Sequence, residues 1–169
     1  MDARPTAELF DRRTVDGRLI ERVARPERAR LLDLAPHPEG GWYRRTWTAS
    51  DGVQVERDGK SVERPAATLI VFLLPPGEAS AWHLVTSDEI WMTGGVGEVE
   101  LQLGGGGAAP EDGEIIRLGD PIDGAVPQAL VPAGHWQRTL PAEHEALVSC
   151  LVSPGFDFAD FTLADDPSA

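Results

Sequence analysis

The run Leu69-Ile-Val-Phe-Leu-Leu74 is cut off by Pro75-Pro-Gly77 and followed by Glu78-Ala-Ser-Ala-Trp-His83 and Leu84-Val-Thr-Ser-Asp-Glu-Ile-Trp-Met-Thr-Gly-Gly95; no other stretch constrains the fold as much. Six consecutive apolar residues bounded by two prolines predict a short buried strand, because prolines remove backbone donors and stop a helix. The two segments after the turn predict further short strands, and they place His83 and Glu89 six residues apart. Strand-like runs recur at 67–74, 80–85, 89–93, 97–103, 114–118, 127–131, 136–140 and 146–152. Short strands at even spacing, joined by Gly, Pro and Asp turns, predict an all-β barrel or sandwich rather than alternating βα units. The 18 glycines and 14 prolines, high but without a period, fit the many turns such a fold needs.

With 169 residues, 41% of them hydrophobic, the chain is long enough for one domain with a sizeable core and too short for two ordinary ones. The expected division is an N-terminal arm over 1–25, one domain over 26–165 and a tail over 166–169. In the arm, Pro5 predicts the start of a short helix and Asp16-Gly17 the turn of a small hairpin. The arm packs on its own domain or on a second subunit. Pro26 to Leu34 predicts one or two helical turns ending before Pro36, and His37-Pro-Glu-Gly-Gly41 a loop. Trp42 to Trp47 predicts a strand with Tyr43, Arg45 and Trp47 on one face, and the polar segment from Arg57 to Arg64 reads as a loop. Gly104 to Gly113 predicts a flexible hairpin loop; no Lys-Ser/Thr and no helix follows it, which excludes a phosphate cradle.

A formal net charge of -13 argues against nucleic acid and anionic membrane surfaces as partners. The single cysteine, Cys150, excludes an intrachain disulfide and a multi-cysteine metal site, and its apolar surroundings predict a buried structural thiol. The N-terminus has no apolar signal core and nowhere do eighteen apolar residues run together, so the expected location is the cytoplasm.

Several blocks together resemble a known family. Gly77, His83, Glu89 and Gly95 match the first motif of the cupins, and Pro132-Ala-Gly134 with Gln137 the second, glutamine standing where a histidine is usual. His37-Pro-Glu-Gly-Gly-Trp-Tyr43, Ser87-Asp-Glu-Ile-Trp91, Val131-Pro-Ala-Gly-His-Trp-Gln137 and Val152-Ser-Pro-Gly-Phe-Asp-Phe158 resemble, in that order, the cupin subfamily DUF985, or cupin-5, from about Leu31 to Ala164. The resemblance implies a double-stranded β-helix, or jelly roll, with a pocket between its two sheets, and commonly a homodimer paired through edge strands and an N-terminal segment.

In such a barrel Ala81, His83 and Val85 share one face and Glu89, Trp91 and Thr93 another, and the short Thr86-Ser-Asp88 link would bring His83 and Glu89 together across a hairpin. A histidine beside a carboxylate in an apolar barrel suits general-base chemistry near neutral pH. Cupin sugar epimerases, similar in fold, pair a histidine base with a tyrosine acid, which makes Tyr43, the only tyrosine, the acid candidate, with His135 the alternative. Trp91, Trp136, Gln137, Arg45 and Glu39 are the substrate-binding candidates, Glu39 a minor one in a loop read mainly as turn chemistry. A metallated cupin supplies His-x-His, a glutamate and a later histidine; here the corresponding positions hold His83, Val85, Glu89 and Gln137. The cofactor expectation is therefore none, or one divalent transition metal on His83, Glu89 and Gln137. Two functions follow: a small-molecule isomerase, epimerase or lyase acting on a carbohydrate-like metabolite, or a non-catalytic binder of a small ligand.

Overall fold

A computed structural model describes residues 8–164. In chain order the strands are β1 (Leu9–Arg13), β2 (Leu19–Ala24), β3 (Ala35–Pro36), β4 (Trp42–Thr48), β5 (Gly52–Arg57), β6 (Lys60–Pro65), β7 (Thr68–Leu74), β8 (His83–Val85), β9 (Asp88–Val96), β10 (Val99–Leu103), β11 (Ile115–Leu118), β12 (Gln128–Val131), β13 (Trp136–Thr139), β14 (Ala146–Ser153) and β15 (Phe161–Leu163). One short helix, α1 (Glu27–Leu31), lies between β2 and β3, with Pro26 at its N-cap and Glu27 in its first turn. A five-stranded sheet in the order β11-β10-β13-β8-β15 faces a six-stranded sheet in the order β12-β9-β14-β7-β4-β3. The strand pairs within both sheets are antiparallel, giving the all-β barrel predicted from the strand spacing in the double-stranded β-helix form that the resemblance implies.

The core between the sheets follows the strand period of two. Thr68, Phe72 and Leu74 of β7 and Ala146, Val148, Cys150 and Val152 of β14 are buried, and they pack with Trp91, Leu101, Leu118 and Val131. Each fully buried aliphatic or aromatic side chain here stabilises the fold by about 1.5–3 kcal/mol. A second cluster sits behind the six-stranded sheet, where Ala29, Leu34, Trp42 and Leu73 are covered by Phe10 and Val23 of the N-terminal hairpin. The arm therefore packs on its own domain: β1 and β2 pair, and the Phe10 ring meets Trp42 edge-on with centroids 5.8 Å apart. The helix expected at Pro5 and the tail over 166–169 fall outside the described residues.

Three local expectations are corrected. The segment read as a loop from Arg57 to Arg64 contains β6, which pairs with β5 through the Asp58-Gly59 turn, both residues of which have positive φ. Its Lys-Ser-Val-Glu-Arg-Pro sequence has no apolar face to betray a strand, because the hairpin buries little. Trp47 does not share the face of Tyr43 and Arg45: the β4–β7 register shifts between Arg45 and Trp47, so Arg45 lies opposite Ile70 but Trp47 opposite Leu69, and Trp47 is 49% exposed. Finally, β8 and β9 are not a hairpin. They belong to different sheets, so Thr86-Ser-Asp88 turns a corner of the barrel rather than joining neighbours.

Candidate functional site

The corner between β8 and β9 sends His83 and Glu89 into the barrel from different sheets. His83 and Val85 of β8, Glu89 and Trp91 of β9, Thr68, Ile70 and Phe72 of β7, Cys150 and Val152 of β14, and Tyr43 and Arg45 of β4 line one small cavity of about 30 Å³. Phe156 and two residues of the loop between β3 and β4, His37 and Glu39, complete its wall. The cavity has room for about two water-sized bodies. Tyr43, Arg45 and Phe156 also border a wider cleft of about 580 Å³, lined in addition by Asp33, Ala35, Arg44, Asp157 and Phe158. Those three side chains are the junction between a small chamber, largely apolar except for its His and Glu side chains, and an open cleft.

The loop reaches inward because of its glycines. Gly40 has φ +111 and a Cβ there would lie 2.2 Å from the Ala79 carbonyl oxygen; Gly41 has φ +70 and its Cβ would press to 2.6 Å on the Phe72 ring. Only glycine fits both the backbone conformation and the contact. His37 N–H donates to the Gly41 carbonyl at 3.0 Å, Gly40 N–H to the His37 carbonyl at 3.1 Å, and Ala81 N–H to the Glu39 carbonyl at 2.7 Å. The His37 ring is boxed by Tyr43 at 4.6 Å, Phe72 at 6.1 Å, and Phe158 and Phe161 at 5.7 Å each.

Glu39 Oε2 stands 3.4 Å from His37 Nδ1 and 3.4 Å from His83 Nε2. The tautomers can be read from the backbone. His83 Nδ1 lies 2.8 Å from the Ala81 carbonyl, an acceptor only, so Nδ1 carries the proton and Nε2 turns a lone pair toward Glu39. His37 Nδ1 accepts the Glu39 N–H at 3.3 Å, so it too is a lone-pair nitrogen. Burial drives His37 down to about 3, helped by nearby His83 and Arg12, and drives His83 down to about 4 against the hydrogen bond that its Nδ1 donates to the Ala81 carbonyl. Both imidazoles are neutral at pH 7. Burial, with the Glu89 charge behind it, holds the Glu39 carboxyl well above its ordinary range, so Glu39 carries one proton that it can give to one of the two facing lone pairs at a time.

Glu89 has a separate set of partners. The Trp91 indole donates to Gln137 Oε1 at 2.8 Å, and Gln137 Nε2 donates to Glu89 Oε2 at 2.6 Å. An indole can only donate, so it fixes which end of the amide faces Glu89. Burial raises Glu89 to about 7, while the Gln137 and Cys150 side chains oppose the rise by hydrogen bonding. Burial also holds the Cys150 thiol well above its ordinary value, with the Glu89 and Glu39 charges adding to the effect. Tyr43 is half-buried, and desolvation raises its hydroxyl against the opposing field of Arg45.

His83, Glu89, Tyr43, Trp91, Arg45 and Glu39 thus meet at one cavity. His135 and Trp136 do not: His135 borders Gly106 and the Gly-rich loop, and the Trp136 indole donates to the Gly107 carbonyl at 2.9 Å. The turn at Pro132-Ala-Gly134 directs both away from the barrel interior. Gln137 is fully buried beside Glu89 but does not line the cavity, and its one acceptor oxygen is taken by Trp91. That removes it from the ligand set expected for a metal. Among the described residues no three His, Cys, Asp or Glu side chains are arranged to hold a metal ion, so the donors present do not fit that group. The sequence reading missed His37, taken as part of a turn, and ranked Glu39 as minor. The pair of glycines after His37-Pro-Glu was the available signal, since two positive-φ residues in a row fold a loop back on itself.

A family model described as the cupin superfamily, DUF985, matches residues 27–164. A hypothetical protein from Leishmania major is 31% identical with a TM-score of 0.68, covering 79% of this chain and 83% of that one. Protein SO0799 from Shewanella oneidensis is 32% identical with a TM-score of 0.67, covering 81% of this chain and 82% of the other. No curated protein matches the sequence. Among the described residues no helix is long and apolar enough to cross a membrane.

Proposed function

The chain belongs to the DUF985 family of the cupin superfamily, and from that premise we propose that it is a proton-transferring enzyme of the isomerase, epimerase or lyase type, acting on a small, polar, carbohydrate-like metabolite. One observation carries this reading: His37, Glu39, His83 and Glu89 are buried around one cavity, and the one cation that lines it, Arg45, is exposed and bonds the Phe156 carbonyl rather than either carboxyl. Burying four titratable groups costs free energy that a purely structural core avoids with apolar residues, and such clusters mark sites of proton chemistry.

In this reading the body of the substrate lies in the wider cleft, and only its reacting end passes Tyr43, Arg45 and Phe156, because the inner chamber is too small for a sugar ring. His83, neutral and backed by Glu39, takes a carbon-bound proton; Ala81 fixes its tautomer through Nδ1. In this step the Glu39 proton is directed to His37 Nδ1, which leaves the His83 Nε2 lone pair free, and the accepted proton stays on Nε2 beside the Glu39 carboxyl. Tyr43, at the junction, returns a proton to the developing oxyanion. Glu89, raised to about 7, is the carboxyl whose charge switches near working pH and sets which form of Glu39 prevails.

The small size of the chamber favours a second reading, a binder that holds its ligand in the cleft without turnover. Sugars, sugar acids and nucleotide sugars incubated with the protein in deuterium oxide separate the two. An enzyme washes deuterium into a carbon position of one of them, visible by proton NMR, and His83→Ala abolishes this while leaving saturation-transfer contacts to the ligand. Contacts without exchange in the unsubstituted protein would overturn the enzyme reading and leave the binder.

A further inference from the structure

The N-terminal hairpin lies before the matched segment, yet it delivers a buried cation to the loop that carries His37 and Glu39. We propose that this hairpin is part of the site, with Arg12 the positioning residue that holds the His37-to-Gly41 loop so that Glu39 stands between the two imidazoles.

The Arg12 side chain is 7% exposed, and a guanidinium is rarely buried unless its donors are satisfied. Nη2 donates to Glu78 Oε2 at 2.8 Å and to the Gly41 carbonyl at 3.3 Å, and Nη1 pairs with Glu21 on β2, while Nε is buried without a partner among the described residues. The same Glu78 oxygen accepts the Gly41 N–H at 3.0 Å. Both polar groups of Gly41 are therefore held by the Arg12–Glu78 pair, and its carbonyl also receives His37 N–H. From the other side, Ala81 N–H grips the Glu39 carbonyl and the Ala81 carbonyl grips His83 Nδ1. Glu39 is thereby fixed between two anchors, one supplied by the barrel and one by the hairpin. The turn between them is a Gly-Gly pair, the backbone with the most freedom to relax if an anchor is lost. Phe10 against Trp42 docks the hairpin independently of Arg12, so removing the guanidinium leaves the hairpin in place.

The inference adds to the proposed reading of the site, but its test uses no turnover, so the two fail separately. Full-length isotopically labelled protein is compared with Arg12→Ala, Arg12→Lys, Glu78→Gln and, as the control, Arg25→Ala. Arg25 stacks over Phe10 and bonds Asp33, and among the described residues its guanidinium makes no hydrogen bond to the His37-to-Gly41 loop. NMR reads amide exchange at Gly41 and Ala81 and the titrations of the Glu39 carboxyl and the His37 and His83 rings. Loss of a buried charge-assisted hydrogen bond predicts that Arg12→Ala speeds Gly41 and Ala81 exchange about ten- to hundred-fold, with the β7–β14 ladder unchanged. The Glu39 midpoint moves down as its carboxyl gains water, and the His37 midpoint moves up. Arg12→Lys restores the His37 midpoint through its charge but not the Gly41 protection, and Glu78→Gln loosens Gly41 alone. Wild-type exchange and titrations in Arg12→Ala, or equal effects from Arg25→Ala, would overturn the proposal. Should Arg12→Ala not fold, wild-type Gly41 exchange in both Arg12→Lys and Glu78→Gln would overturn it as well.

Discussion

Replacing Glu89 by Gln should change not the stability at one pH but the slope of stability against pH. A carboxyl whose folded value is raised makes its full contribution below its unfolded value, near 4.5, and loses it as pH rises through the folded value, here about 7. Between those points the folded protein holds a proton that the unfolded chain has released, and unfolding becomes easier with every step in pH. The total loss attributable to Glu89 by pH 8 is roughly 3 kcal/mol, at about 1.4 kcal/mol per pH unit. Glutamine has the shape of the protonated acid, and its amide oxygen can still accept from Gln137 Nε2, so the variant should match the unsubstituted protein near pH 4.5. His37 and His83 act with the opposite sign: their depressed values add stability as pH rises toward 6.5 and lose it on acidification toward 4 and 3. They are common to both proteins and cancel in the difference. Urea unfolding followed by tryptophan fluorescence from pH 4.5 to 8 gives the two curves. The Glu89→Gln advantage should grow steadily and level off above pH 7. A difference that stays flat across this window would refute the claim that Glu89 is held protonated by burial.

Other substitutions test the framework around the cavity. Trp91→Phe removes the donor to Gln137 and leaves a buried acceptor orphaned; urea unfolding should show a loss of about 1–3 kcal/mol from the hydrogen bond alone, and none would mean that the Trp91–Gln137–Glu89 chain is idle. Gly40→Ala forces a methyl to within 2.2 Å of a backbone oxygen at φ +111, so it should lower the thermal midpoint and shift the His37 ring resonances, whereas Gly59→Ala, where a Cβ meets open space, should cost only its backbone strain. Asp160 accepts from Arg64 Nε at 2.8 Å and Nη2 at 3.1 Å and lies 3.3 Å from Arg57 Nε; Asp160→Ala removes the one carboxylate these two largely buried arginines share and should cost about 3 kcal/mol while loosening Phe158 and Phe161 against His37.

Much of this protein was legible before any coordinates. Even spacing of short apolar runs and the prolines that end them specify an all-β barrel, since each strand can bury only alternate residues and must meet a second sheet. The faces of β8 and β9, and with them His83, Glu89 and Trp91, follow from the same alternation. The hairpin at Asp16-Gly17 follows from local turn chemistry.

What the sequence left open depends on events that no local pattern encodes. A one-residue register shift in β4 turned Trp47 outward, and sheet membership, not separation along the chain, decided that His83 and Glu89 approach from different sheets. The polar β6 carries no apolar burial signal, because what it covers is polar: its Arg64 side chain is largely buried through an ion pair with Asp160. His135, Trp136 and Gln137 sit beside one another in sequence, yet two leave the barrel interior and the third is locked between Trp91 and Glu89. Above all, His37 and Glu39 lie more than forty residues from His83, and only the inward fold of a Gly-Gly turn, held by Arg12 and Ala81, sets Glu39 3.4 Å from both imidazoles. Alternation along a strand determines which residues face inward; the closure of the barrel and the loops across its end decide which of them meet.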